Sequence, residues 1–192
     1  MTPYFTGLVL FFGLHLFTGI RDRTPEKDIR ARMGYGLYMG LYSVLSLLGL
    51  ALIIYGYAET RGLGYLYTPP IWAKHLNLLI MVPALILLVA SQLPTGHLKK
   101  WTRHPMLVAV KLWALGHLLA NGELNSVLLF GTFLFYAIID RILVKRRGDN
   151  GPGADVQVQT LMDIVSVVLG LALWVGLAVW LHPILFGVPA LG

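Results

Sequence analysis

The sequence predicts an all-α, polytopic integral membrane protein: six transmembrane helices, with both termini on the outer, periplasmic side. Three observations predict it. Of 192 residues, 57% are hydrophobic and only 12% charged, and the mean hydropathy is +0.72, a composition outside that of soluble domains. The apolar residues gather in runs long enough to cross ~30 Å of hydrocarbon at about 1.5 Å per residue. The basic residues fall in short segments between those runs. The whole chain, 1–192, reads as a single transmembrane helical domain.

The first run, 3 to 20, is followed rather than preceded by basic residues, in Arg21 to Arg32. That is the reverse of a secretory signal peptide, and it predicts a retained helix. Further runs lie at 36 to 57, 72 to 93, 124 to 143 and 161 to 181. A shorter one, 105 to 120, is broken only by Lys111 and ends at the turn signal Asn121-Gly122, so 105 to 143 reads as a helical hairpin. Gly36 and Gly40, with Gly34 and Gly49 nearby, have the small-xxx-small spacing that lets a membrane helix approach a neighbour closely, and the general frequency of glycine in membrane helices accounts for them equally. The stretch Arg146 to Asp155, rich in Gly, Pro and charge, predicts a mobile cytoplasmic linker at about 145–158.

Lys and Arg decide between five and six crossings. Segments 21 to 32, 94 to 104 and 141 to 150 carry five, three and four of them, whereas 58 to 71 carries one and 121 to 125 none. That alternation requires six crossings, with the basic connections in the cytoplasm. Tyr55, Tyr57, Tyr65, Tyr67 and Trp72 then form an aromatic belt at the outer surface. The net charge of +6 is spent on orientation and on anionic lipid headgroups, so the lipid bilayer is the expected partner and nucleic acid is not.

The chain has no cysteine and six histidines. Thiolate chemistry and disulfides are thereby excluded, and a metal site must use His, Met or carboxylate. The nine acidic residues lie mostly in loops, leaving no intramembrane carboxylate pair, and no phosphate-binding glycine loop or Ser-His-Asp set is present.

His15 and His117 stand inside apolar runs with no acid beside them. Such a histidine either hydrogen-bonds across a helix interface or ligates a metal. Two converging imidazoles without thiolates point to a haem. By rise per residue His117 lies about 18 Å from the cytoplasmic start of its helix and His15 about 8 to 12 Å from that side, a mismatch of about 6 to 10 Å that tilt and extension of the first helix towards Arg23 are expected to absorb. His75 matches His117 in depth as well as His15 does, and depth leaves the two open as its opposite number. Trp113, one turn before His117, is a candidate for packing on the haem. Arg103, His104 and Lys111 suit an anionic group near the cytoplasmic surface, a haem propionate or a lipid phosphate; an interfacial Arg-His pair with a snorkelling lysine serves equally. His182 reads as an interface residue and His97 as a solvent-facing one.

Arg103-His104-Pro105, the run Val110 to His117, His15, Asp140-Arg141 and Leu181-His182-Pro183 together resemble the bacterial NnrU family and its plant relative, zeta-carotene isomerase, over nearly the whole chain. The resemblance implies an integral membrane protein binding haem b through His15 and His117. It implies two activities: isomerisation of a cis double bond in a small hydrophobic polyene, or a link to nitric oxide and nitrite metabolism in denitrification. Where the plant motif carries an alternate cysteine ligand three residues before the second histidine, this chain has Ala114, so ligand switching by that group is not expected. Whether the chain is catalytic stays open at this point. Two other classes compete. The Arg-His-Pro string is similar to membrane methyltransferases of the isoprenylcysteine type, although the segment after Arg147 lacks their acidic, tyrosine-containing cofactor stretch. A non-enzymatic assembly factor for a respiratory reductase, with structural histidines, is the other.

Overall fold

A computed structural model describes residues 1–191. Ten helical segments account for most of it: α1 (Thr2–Ile20), α2 (Ile29–Met33), α3 (Tyr35–Glu59), α4 (Ile71–Gln92), α5 (His97–Thr102), α6 (Pro105–Ala120), α7 (Leu124–Arg146), α8 (Thr160–Gly176), a π-helical turn (Leu177–Leu181) and α9 (His182–Phe186). Extended pairing among the described residues amounts to one bridge, Tyr65 to Glu123. Five helices are long and apolar enough to cross a membrane: α1, α3, α4, α7 and the continuous Thr160–Phe186. The apolar helix α6 is shorter; at 16 residues it spans about 24 Å.

The helices start and stop where local chemistry dictates. Pro occupies the first turn of α1 and of α6, where its missing N–H costs nothing. Asp28 caps α2 by accepting from the Arg30 N–H at 3.0 Å. Helix α5 borrows its cap: the carboxylate of Asp163 on α8 accepts from the N–H groups of His97 and Leu98 at 2.8 and 2.9 Å. The expected hairpin of α6 and α7 forms, with Asn121 closing α6 through its backbone and side-chain N–H groups on the His117 carbonyl.

Side by side, the six main helices run in the order α3, α1, α7, α6, α4, α8. Helices α1 and α7 are parallel, since Tyr4 meets Asn125, Phe12 meets Phe133 and His15 meets Tyr136. Helices α6 and α7 are antiparallel, since His117 meets Phe130 and Trp113 meets Phe133. Helix α7 therefore joins the α1/α3 pair to the α4/α6/α8 group, touching α1, α6 and, through Tyr57, α3. Large apolar side chains cover the outside, Val9 at 73% exposure and Ile71 at 75% among them; a surface of that kind is stable only against lipid.

The close helix approach is not at Gly36 and Gly40. A side chain at either would meet open space. It lies instead at Gly7, Gly49 and Gly56, where an added Cβ would come within 2.7 Å of Ile53, 2.9 Å of Phe11 and 2.5 Å of Tyr4 respectively, the nearest atom each time being backbone. The backbones of α1 and α3 are thus almost in contact, and spacing alone had pointed to the wrong face of α3. Around this seam pack Tyr4, Leu8, Phe12 and Ile53, the buried apolar centre. The Tyr4 hydroxyl donates to the Asn125 carbonyl at 2.6 Å, and Asn125 Nδ2 donates to the Tyr57 carbonyl at 3.1 Å, so the polar atoms buried there are satisfied.

Candidate functional site

His15 lies on α1 between α3 and α7. Its Nδ1 is 2.6 Å from the Phe11 carbonyl. A carbonyl only accepts, so Nδ1 carries the proton and Nε2 is left with its lone pair. Three rings enclose the imidazole: Phe11 with centroids 4.2 Å apart, Tyr42 of α3 at 5.4 Å and Tyr136 of α7 at 5.9 Å.

His117 repeats the arrangement on α6. Its Nδ1 is 3.4 Å from Asn77 Oδ1 on α4, which again assigns the proton to Nδ1 and the lone pair to Nε2. Asn77 reaches it because residue 116 is glycine: a Cβ there would lie 2.4 Å from Asn77 Oδ1. Trp113 and Phe130 pack on the ring at 5.4 and 4.5 Å. In both places a fixed acceptor holds one nitrogen and orients the other, the outer-shell arrangement that prepares an imidazole to ligate.

The two imidazoles have no ring neighbour in common. The path between them runs from Phe11 to Phe133 at 6.3 Å and from Phe133 to Trp113 at 5.0 Å. Their levels on α7 also differ: His15 stands by Tyr136 and His117 by Phe130, a separation of about 9 Å along the helix. That offset falls within the difference that counting from the helix ends gives, with His15 again nearer the end of α7 that carries Arg146. Each imidazole alone fits a haem iron as donor. The Phe133 ring packs against Phe11 and Phe12 of α1 and Trp113 of α6, and so stands among the neighbours of both imidazoles.

His75 does not oppose His117. It is exposed and lines a groove with Lys74, Leu78, Ala190 and Leu191, while Asn77, two residues on and about 200° around the helix, takes the position facing His117. Among the described residues no three His, Cys, Asp or Glu side chains gather as a metal-binding group.

Arg103, His104 and Lys111 are not brought together. Arg103 is exposed with φ +63° at the end of α5, and Gly151 packs against its backbone. His104 Nε2 is 3.2 Å from the Asp149 carbonyl and 3.8 Å from its carboxylate. That contact helps to seat the segment after α7, which Lys100 Nζ also ties down through the Ala154 carbonyl at 3.0 Å. Lys111 lies deeper on α6, within electrostatic range of Arg141 on α7. Sequence reasoning passed over Asn77, Phe133, Tyr42 and Tyr136, and used Arg141 only with Asp140, as part of the resemblance. Asn77 had a signal, as the one amide in the apolar run from Leu76 to Ala90; the aromatic residues had none, since rings are common in membrane helices.

Compared with known families, residues 4–190 match the profile described as NnrU protein. No curated protein and no solved structure matches the chain.

Proposed function

As this chain belongs to the NnrU family, we propose that it is a haem b-binding protein of the bacterial inner membrane, crossing six times with both termini outside, with His15 and His117 as the axial ligands. The observation that carries the reading is the matched state of the two imidazoles: each donates from Nδ1 to a fixed acceptor and keeps an Nε2 lone pair inside a water-poor aromatic surround. Phe11 and Asn77 hold the tautomer and the ring plane. Trp113, Phe130 and Phe133 exclude water between α6 and α7.

A bound ferrous haem able to release one axial imidazole supplies a site for nitric oxide or for the double bond of a polyene. The family resemblance connects the first with nitrite and nitric oxide metabolism and the second with carotenoid isomerisation. The aromatic side chains suit either apolar guest. One structural observation favours a second reading, an assembly factor for a respiratory reductase: both imidazoles already have hydrogen-bond partners in the scaffold, as purely structural histidines would.

Absorption spectra of the detergent-purified protein, oxidised and dithionite-reduced and with haem supplied, separate the two. Sharp reduced α and β bands, altered in both His15→Ala and His117→Ala, are the expected result. Bands altered in one variant only would replace the pair by a single ligand. A protein that stays colourless would remove the haem reading and leave the assembly factor.

A further inference from the structure

Lys111 of α6 and Arg141 of α7 are two partly buried cations on facing helices, within electrostatic range of each other, that no carboxylate neutralises. Among the described residues neither makes a hydrogen bond or ion pair, and Arg141 Nη1 is buried with no partner. The adjacent Asp140 does not serve them: its carboxylate turns towards Gly19 of α1, beside Arg147, on another face of α7. The pairs His117–Phe130 and Trp113–Phe133 set the register of α6 against α7, and extending it places Arg141 opposite Pro105 and Lys111 about one and a half turns deeper. Side chains lean towards the N-terminus of their own helix. On antiparallel helices Arg141 therefore leans inward and Lys111 outward, each towards the other, which agrees with their electrostatic proximity. Two like charges brought towards each other at a partly buried helix interface, one with a guanidinium nitrogen buried without a partner, disfavour each other unless an anion lies between them.

We propose that Lys111 and Arg141 bind an oxyanion at the α6/α7 interface, entering from the end of the molecule that carries Arg103. A planar guanidinium with a free Nη1 and an ammonium with three donors match a phosphate or carboxylate oxygen pair. Two sources present that chemistry at this depth: the phosphodiester of an acidic phospholipid and the propionate of a haem. The site does not depend on His15 or His117 being haem ligands.

The test is bilayer reconstitution in phosphatidylcholine with trace spin-labelled phosphatidylglycerol or phosphatidylcholine, using haem-free protein. The expected result is preferential immobilisation of the phosphatidylglycerol, by about fivefold for each cation engaged. That preference is lost in Lys111→Gln and in Arg141→Gln and kept in Lys145→Gln/Arg146→Gln, whose side chains are exposed at the end of α7. No preference in the wild type, together with haemin affinity that falls severalfold in Lys111→Gln and Arg141→Gln, assigns the oxyanion to a propionate. Neither effect overturns the proposal, as does a preference lost equally in the exposed double variant. Should the glutamine variants fail to fold, Arg141→Lys keeps the charge, and the wild-type lipid and haemin titrations decide alone: indifference to both overturns it.

Discussion

The Asp28 carboxylate shows how much a single residue organises where the chain leaves the bilayer. It accepts from the Arg21 guanidinium and from the Arg30 N–H, closing the turn between α1 and α2. The Arg21 bond, and after it the Arg30 N–H, hold its carboxyl below the usual carboxylate range. A depressed folded value means that the contribution is present above the ordinary carboxylate pKa and is lost as pH falls through the folded value. Acid below that range should therefore loosen residues 21–33, and Asp28→Asn should loosen them at neutral pH. Hydrogen exchange of the Arg30 amide is the measurement, with protection reduced severalfold in both cases. The sequence displayed a dense basic segment here, but not which acid answers it, because the pairing is made by the chain folding back. His15 and His117 illustrate the same limit. Their residue type and apolar setting were legible; Asn77 and the Phe11 carbonyl, which fix their tautomers, were not.

Between elements, glycine placement determines how α1 meets α3. The small-xxx-small pattern exists at Gly36 and Gly40 and does nothing there, whereas Gly7, Gly49 and Gly56 carry the contact. Gly56→Ala should cost about 1–3 kcal/mol, since its Cβ meets the backbone of Tyr4 and backbone does not step aside. Gly36→Ala and Gly40→Ala should be neutral or gain up to about 1 kcal/mol from helix propensity. Thermal midpoints in detergent distinguish the two sites, and equal effects at Gly36 and Gly56 would contradict the seam described. The Asp163 cap on α5 was equally hidden, being supplied by a helix some sixty residues away. Helices α2 and α5 and the π turn before His182 also lay beyond the periodic signal, which long apolar runs dominate.

For the whole molecule, the decisive question is whether α6 crosses the bilayer. Because the chain has no cysteine, single cysteines at positions 26, 63, 123 and 155 can be labelled with an impermeant reagent in intact cells. Six crossings place 63 and 123 on the labelled outer side and 26 and 155 on the protected side; protection of 123 would mean that α6 does not cross. The sequence by itself determined the helical class, the location of the apolar runs, the α6/α7 hairpin and the family, because hydropathy, turn residues and motif spacing are local properties of the chain. It also singled out the intramembrane histidines. Only the tertiary structure decided the order of helices around α7, the glycine seam, the packing of Phe133 against Phe11 and Trp113 and the placement of Lys111 within electrostatic range of Arg141. Those depend on register and on the face each helix turns to its neighbours, and in a membrane, where nearly every face is apolar, periodicity carries little record of either.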